Sequence, residues 1–262
     1  MLQKVEGIII RSSDYGETNK IITLYTRELG KIGVMARGAK KPKSRLASVS
    51  QLFIYGTFLI QKHQGLGTLN QGEILDSFKE VRNDLYLASY ASYVVELLDR
   101  LTEEKEINPY LFELVYQMLH YLDEGIDPEV LLRIYEMKML AVAGAKPQLD
   151  HCASCQGIFI PVAFSIREAG FLCGQCAYKD DHALRINEQT ARLLRLFFYM
   201  DLNRLGKISL KDDTKKELKW IISTYYDEYV GLTLKSKRFI EQLEKMDLQI
   251  KEKENQDQKG LS

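Results

Sequence analysis

Four cysteines carry the sharpest chemical signal in this chain. Cys152-x2-Cys155 is followed, after 17 intervening residues, by Cys173-x2-Cys176. Each C-x-x-C turn can aim two sulfurs at one point, so the two together offer four soft thiolates to a single ion. The spacing predicts a ribbon around one structural Zn2+, with Gly157 and Gly174 easing the turns and a short hairpin formed by Ile158–Phe164 and Ala169–Leu172. Four thiolates close the coordination sphere and leave no position for a reactive water. Redox chemistry at one pair would leave the other unexplained and lacks the strand-to-helix setting of a thioredoxin site. His151 reads as a surface neighbour.

The second signal is cationic. Arg37, Lys40, Lys41, Lys43 and Arg45 fall within nine positions that hold no acid. Gly38 and Pro42 interrupt regular structure there, so these charges belong on a loop leaving a strand. Point cations on a loop suit a phosphate backbone; the plain alternative is a solvated turn. The whole chain is neutral, with 36 basic and 36 acidic residues in 262. Residues 1–80 nevertheless hold 12 Lys/Arg against 7 acids, leaving 24 against 29 for the remainder. A basic head on an acidic body places the polyanion at the head. Arg11, Lys20 and Lys31 are further candidates for phosphate contact. Tyr15, Phe53, Tyr55 and Phe58 are candidates to stack bases, although strand alternation predicts that at least half of them are core.

These residues need elements to hold them. Val5–Arg11, Lys20–Thr26, Lys31–Arg37, Leu52–Gln61 and Thr68–Asp76 read as five strands rich in β-branched residues, with glycine-bearing turns between them. Five short strands fit an oligonucleotide-binding (OB) barrel, with an SH3-like barrel as the competitor. Gly56 within the fourth strand marks a bulge or bend. Beyond residue 80 the apolar period becomes helical. Asn83 or Asp84, Asn108-Pro109, Asp127-Pro128 and Asn187 are start signals, and Asp212-Asp213 reads as a further cap. The fold class is α+β: an N-terminal five-stranded OB barrel, then a helical domain with the four-Cys ribbon inserted. The boundaries read as 1–80 for the barrel, 81–148 and 183–246 for the two helical parts, 149–182 for the zinc module and 247–262 for a disordered Lys/Glu-rich tail.

No P-loop, dinucleotide fingerprint, nucleophile elbow or H-E-x-x-H motif occurs. His63, His120, His151 and His182 are scattered. The acid pairs Glu103-Glu104 and Asp180-Asp181 read as solvated. Binding is therefore favoured over catalysis. No leader or membrane span is apparent, which predicts a cytoplasmic protein.

Glu6-Gly7-Ile8-Ile9-Ile10, Asp14-Tyr15-Gly16-Glu17-Thr18-Asn19-Lys20 through Thr26, and Gly30-Lys31 through Arg37-Gly38-Ala39-Lys40-Lys41 resemble the head of the bacterial RecO recombination mediators. The likeness extends through Phe53–Ile60 and the Cys152–Cys176 cluster, over about residues 1–245, and places the chain in the zinc-bearing branch. The resemblance implies binding of single- and double-stranded DNA, annealing of complementary strands, and work with RecR and the C-terminal tail of single-stranded-DNA-binding protein to load RecA, in a nucleoid-associated setting. A protein-interaction adaptor and an RNA-binding barrel with a zinc ribbon are the alternatives.

Overall fold

The computed structural model describes residues 1–62, 65–206 and 208–260. His63, one of the four histidines considered above, lies outside them.

Five strands, β1 (Leu2–Tyr15), β2 (Asn19–Thr26), β3 (Gly30–Ala36), β4 (Tyr55–Gln61) and β5 (Gly67–Asp76), close a barrel in the order β1-β2-β3-β5-β4. All pairings are antiparallel except β3–β5, which is parallel at Val34–Gly67 and Met35–Thr68. That order, with helix α1 (Leu46–Val49) between β3 and β4, is the OB arrangement. Val5, Ile9, Ile22, Leu24, Val34, Ala36, Phe58, Ile60 and Leu69 point inward and fill the barrel. Three bulges bend it. One lies at Leu59/Ile60 in β4. Another follows Ile9 in β1, and the third lies at Tyr55/Gly56, where a Cβ on Gly56 would sit 2.3 Å from the Glu73 carbonyl. Gly56 thus does what its place in the strand predicted.

The helices begin where the sequence signals them. Asp84 caps α3 (Leu85–Leu101), Asn108 caps α4 (Pro109–Asp123), Asp127 caps α5 (Pro128–Val142) and Asn187 caps α6 (Glu188–Tyr199). Asp212-Asp213 is different. Lys211 holds the cap position of α7 (Asp212–Tyr229), and the two acids lie inside its first turn, where they favour the positive end of the helix dipole. A short helix, α2 (Lys79–Asn83), precedes α3. The last helix, α8 (Lys235–Gly260), continues through most of the stretch whose composition suggested disorder. Lys, Glu and Gln are good helix formers, and no proline interrupts them.

The chain forms two compact units, residues 1–124 with 233–262, and residues 125–232. In the first, α8 packs on α3, and Glu96 of α3 accepts the backbone N–H groups of Lys235 and Ser236 at 3.1 and 2.8 Å. In the second, α5 packs against α6 and α7, and the strands β6 (Ala163–Ser165), β7 (Gly170–Leu172) and β8 (Leu184–Arg185) form a small sheet. Buried Asp180 accepts the Ser165 hydroxyl and the His182 N–H there, so it is a structural acid and not a solvated one.

Candidate nucleic-acid interface and metal centre

The basic loop leaves the end of β3 and is tied down at three points. Ala39 is buried in the barrel core. The Gly38 N–H donates to Asn19 Oδ1 at 2.8 Å, and the Lys40 N–H donates to the Thr18 carbonyl at 2.9 Å. Gly38 takes a left-handed φ of 67°, which glycine adopts without penalty. The anchored backbone leaves Arg37, Lys40, Lys41, Lys43 and Arg45 all exposed. Lys40 pairs with Asp14 at 2.8 Å, and its hydrogen bond is the main reason the Asp14 carboxyl lies below its usual range. Both partners face water, so a phosphate can compete for the lysine.

The loop borders an open face of the barrel. Register places Ser13 beside Ile21, Ile21 beside Met35, and Met35 beside Thr68, on one side of the sheet. Ile21 and Met35 are half-buried, and Tyr15 at the edge is 53% exposed. Neither Ile21 nor Met35 was among the candidates read from sequence. The signal was present, because Ile21-Ile22-Thr23-Leu24-Tyr25 is apolar on both faces, which a strand with one solvated face avoids.

Three sequence candidates are placed elsewhere. Lys31 is buried. Its ammonium donates to the carbonyls of Asp99 and Thr102 at 2.6 and 2.5 Å and pairs with the Asp99 carboxylate at 3.2 Å, so no phosphate can use it. Arg11 is exposed but pairs with the other Asp99 oxygen. Lys20 is half-buried at the start of β2. Among the aromatics, Phe53 and Phe58 are core, as alternation predicted for half of them. Tyr55 turns toward α4, with its ring 4.8 Å from Tyr116 and its hydroxyl donating to Glu6 at 2.7 Å. Tyr15 alone of the four presents its ring to solvent.

The cysteines converge as their spacing predicted. The four Sγ atoms lie within 4.8 Å of one another, and none is in a disulfide. Cys155 Sγ and Cys173 Sγ are 3.9 Å apart. Sulfurs at about 2.3 Å from a tetrahedral centre stand about 3.8 Å apart, so the cluster fits such an ion. The left-handed residue in the first knuckle is Gln156, at φ 60°, and neither Gly157 nor Gly174 takes that conformation. Burial pushes the Cys152 thiol up, but backbone N–H groups of Cys155, Cys173 and Ser154 outweigh it and bring the thiol down to about 6. Donors turned toward Cys152 favour its thiolate; at Cys176 the Ser154 side chain acts in the same sense, but burial and the other three cysteines outweigh it and push that thiol up to about 11.

A five-stranded OB barrel with a fringe of exposed cations, a helical body and a four-thiol cluster define the class of protein. Family models agree over nearly the whole chain. "Recombination protein O N terminal" matches residues 1–78 and "Recombination protein O C terminal" matches residues 82–238. A DNA repair protein RecO from Halalkalibacterium halodurans is 63% identical over 246 residues, covering 94% of this chain and 97% of the relative. Its counterpart from Bacillus cereus strain AH187 is 58% identical over 248 residues, covering 95% of this chain and all of the relative. The chain belongs to the RecO family. No described helix is long and apolar enough to cross a membrane.

Proposed function

We propose that this protein is a DNA-binding recombination mediator that needs no catalytic residue of its own. It holds single- and double-stranded DNA through the barrel, anneals complementary strands, and helps load RecA onto protein-coated single strands, in concert with RecR and the tail of single-stranded-DNA-binding protein. The observation that carries the DNA-binding part is the anchored loop, which displays Arg37, Lys40, Lys41, Lys43 and Arg45 beside the open Ile21–Met35 face. Annealing requires two strands held close with their mutual repulsion screened, and a row of cations does this by displacing condensed counterions. Arg11 and Lys20 play at most supporting roles, because one is paired and the other half-buried.

The four thiolates hold one zinc ion, which acts as the core of a module otherwise too small to fold alone. Elemental analysis of the purified chain should find one zinc per molecule. For the loop, Lys40→Glu, Lys41→Glu and Lys43→Glu are combined and single-strand binding is titrated against salt. Each lost phosphate contact lowers the slope of log affinity on log salt by about 0.7, so the triple variant should lose about 2. An unchanged affinity and slope would remove the loop from the interface. Competition between DNA and RNA oligomers separates this reading from an RNA-binding barrel.

The adaptor reading has one observation of its own. Ile158 and Ile160 of the zinc module are 95% and 74% exposed, which is unusual for isoleucine. A pull-down with RecR, set beside a DNA shift assay, tests it.

A further inference from the structure

The barrel has a partly open seam. β3 and β5 pair only at Val34 and Met35, so the first half of β3 lacks a barrel neighbour on that side. The segment after α3 fills one end of the gap. Glu104 bridges Lys31 in parallel, and the Lys105 N–H donates to the Lys31 carbonyl at 3.0 Å. Between this plug and residues Gly65–Gly67 remains a cleft of about 630 Å³. Its walls are Leu29, Ile32, Leu66 and Ile107, and Val34 and Ile60 lie at its base. Leu66 and Ile107 remain 39% and 57% exposed, and the cations Lys62 and Lys105 share the lining with Glu104. Gly33 keeps the space open, because a Cβ there would meet Leu66 Cδ1 at 3.0 Å.

We propose that this seam cleft takes one unstacked nucleotide of a bound single strand. The base lies between Leu66 and Ile107, and Lys62 and Lys105 hold the adjoining phosphate. The inference rests on the DNA-binding reading above and gives that interface its single-strand preference. The volume falls within the range of small-ligand sites and exceeds what one base needs. Aliphatic walls grip a base by its faces without reading its edges, so the site is tolerant of sequence. The geometry also connects the two features. Gly33 lies in β3 and Arg37 directly follows its last residue, Ala36, about 13 Å further along at ~3.3 Å per residue, within the span of the few nucleotides an OB fold engages. A paired base in a duplex cannot enter without unstacking.

The test uses the full chain and two probes, a single-stranded oligothymidine with one 2-aminopurine and a blunt duplex of equal length. Leu66→Ser with Ile107→Ser should weaken single-strand binding about tenfold and abolish the 2-aminopurine response, while duplex affinity stays within about twofold. Both side chains are exposed, and an unchanged thermal melt confirms the fold. Lys62→Gln with Lys105→Asn, the second residue chosen to suit the left-handed backbone at position 105, is the companion variant and should show the same selective loss of single-strand affinity with duplex affinity retained. Equal losses on both probes, or no loss in either variant while wild type binds normally, overturn the site and leave the functional reading standing. A cleft variant that loses only an acidic, apolar peptide and keeps its single-strand affinity also overturns it, in favour of a protein ligand. A wild-type chain that binds no DNA overturns both.

Discussion

Lys31→Met separates a structural lysine from a DNA contact. In the native chain the ammonium makes two short hydrogen bonds to carbonyls and one ion pair, and the side chains of Lys31 and Asp99 are 10% and 11% exposed. Methionine fills most of the volume but leaves both carbonyls without this donor and Asp99 with only Arg11. Removing one partner of a buried pair costs about 3–5 kcal/mol. Arg11 retains part of the compensation, and methionine is spared the cost of desolvating a charge, so the expected loss is about 3 kcal/mol. That is a large share of a stability of ~5–15 kcal/mol. The assay must watch the right unit. The single tryptophan, Trp220, lies in the 125–232 unit, so its fluorescence reports elsewhere. Amide exchange in β3 and α3 is the suitable measure, with single-strand binding titrated against salt alongside. Protection should fall while the salt slope stays at the wild-type value. A stability change below about 1 kcal/mol, together with a slope reduced by one phosphate contact, would refute the burial argument and return Lys31 to the interface.

Further outcomes follow from the same contacts. Gly30→Ala should cost at least about 2 kcal/mol and expose the 104–106 segment to protease, because Gly30 has a φ of 64° and a Cβ there would sit 2.1 Å from the Glu106 carbonyl. Burial pushes the Glu96 carboxyl up, but the Ser236 hydroxyl and the N–H groups of Ser236 and Lys235 hold it below its usual 4.5. A depressed carboxylate adds stability above its unfolded value and loses it as pH falls through the folded one. Glu96→Gln should therefore be less stable than wild type at pH 7, and denaturant titrations should show the gap narrowing toward pH 3. Removing metal with a chelator should raise amide exchange across residues 150–182 and leave β1–β5 unchanged, since exposed Cys155 offers the chelator an entry.

Local rules made much of this legible. A capping side chain acts within three residues, so Asn108, Asp127 and Asn187 could be read directly and the first cap narrowed to Asn83 or Asp84. The cysteine pairs were legible because a cluster able to hold a metal requires both a residue type and a spacing. Lys31 was not, because its partners Asp99 and Thr102 lie about 70 positions away and nothing near it in sequence indicates burial. Tyr55 fails for the same reason, since its neighbours Phe112 and Tyr116 belong to a helix that sequence alone does not dock. The seam cleft depends on a parallel contact between Lys31 and Glu104, which period-two patterns cannot reveal. In the tail, composition argued for disorder, and α8 runs through Gly260 on residues that are good helix formers.

The return of the chain to its first unit has a consequence in time. The surface of α3 that receives α8 is complete at Leu101, but α8 ends only at Gly260. At about 5–20 residues per second, a ribosome takes roughly 8–30 s to deliver the intervening chain. During that interval nascent α3 waits without its final partner, and an apolar face left bare for seconds is a natural target for chaperones. Moving residues 233–260 ahead of the barrel by circular permutation would shorten the wait, and the yield of soluble protein at high expression would register the difference.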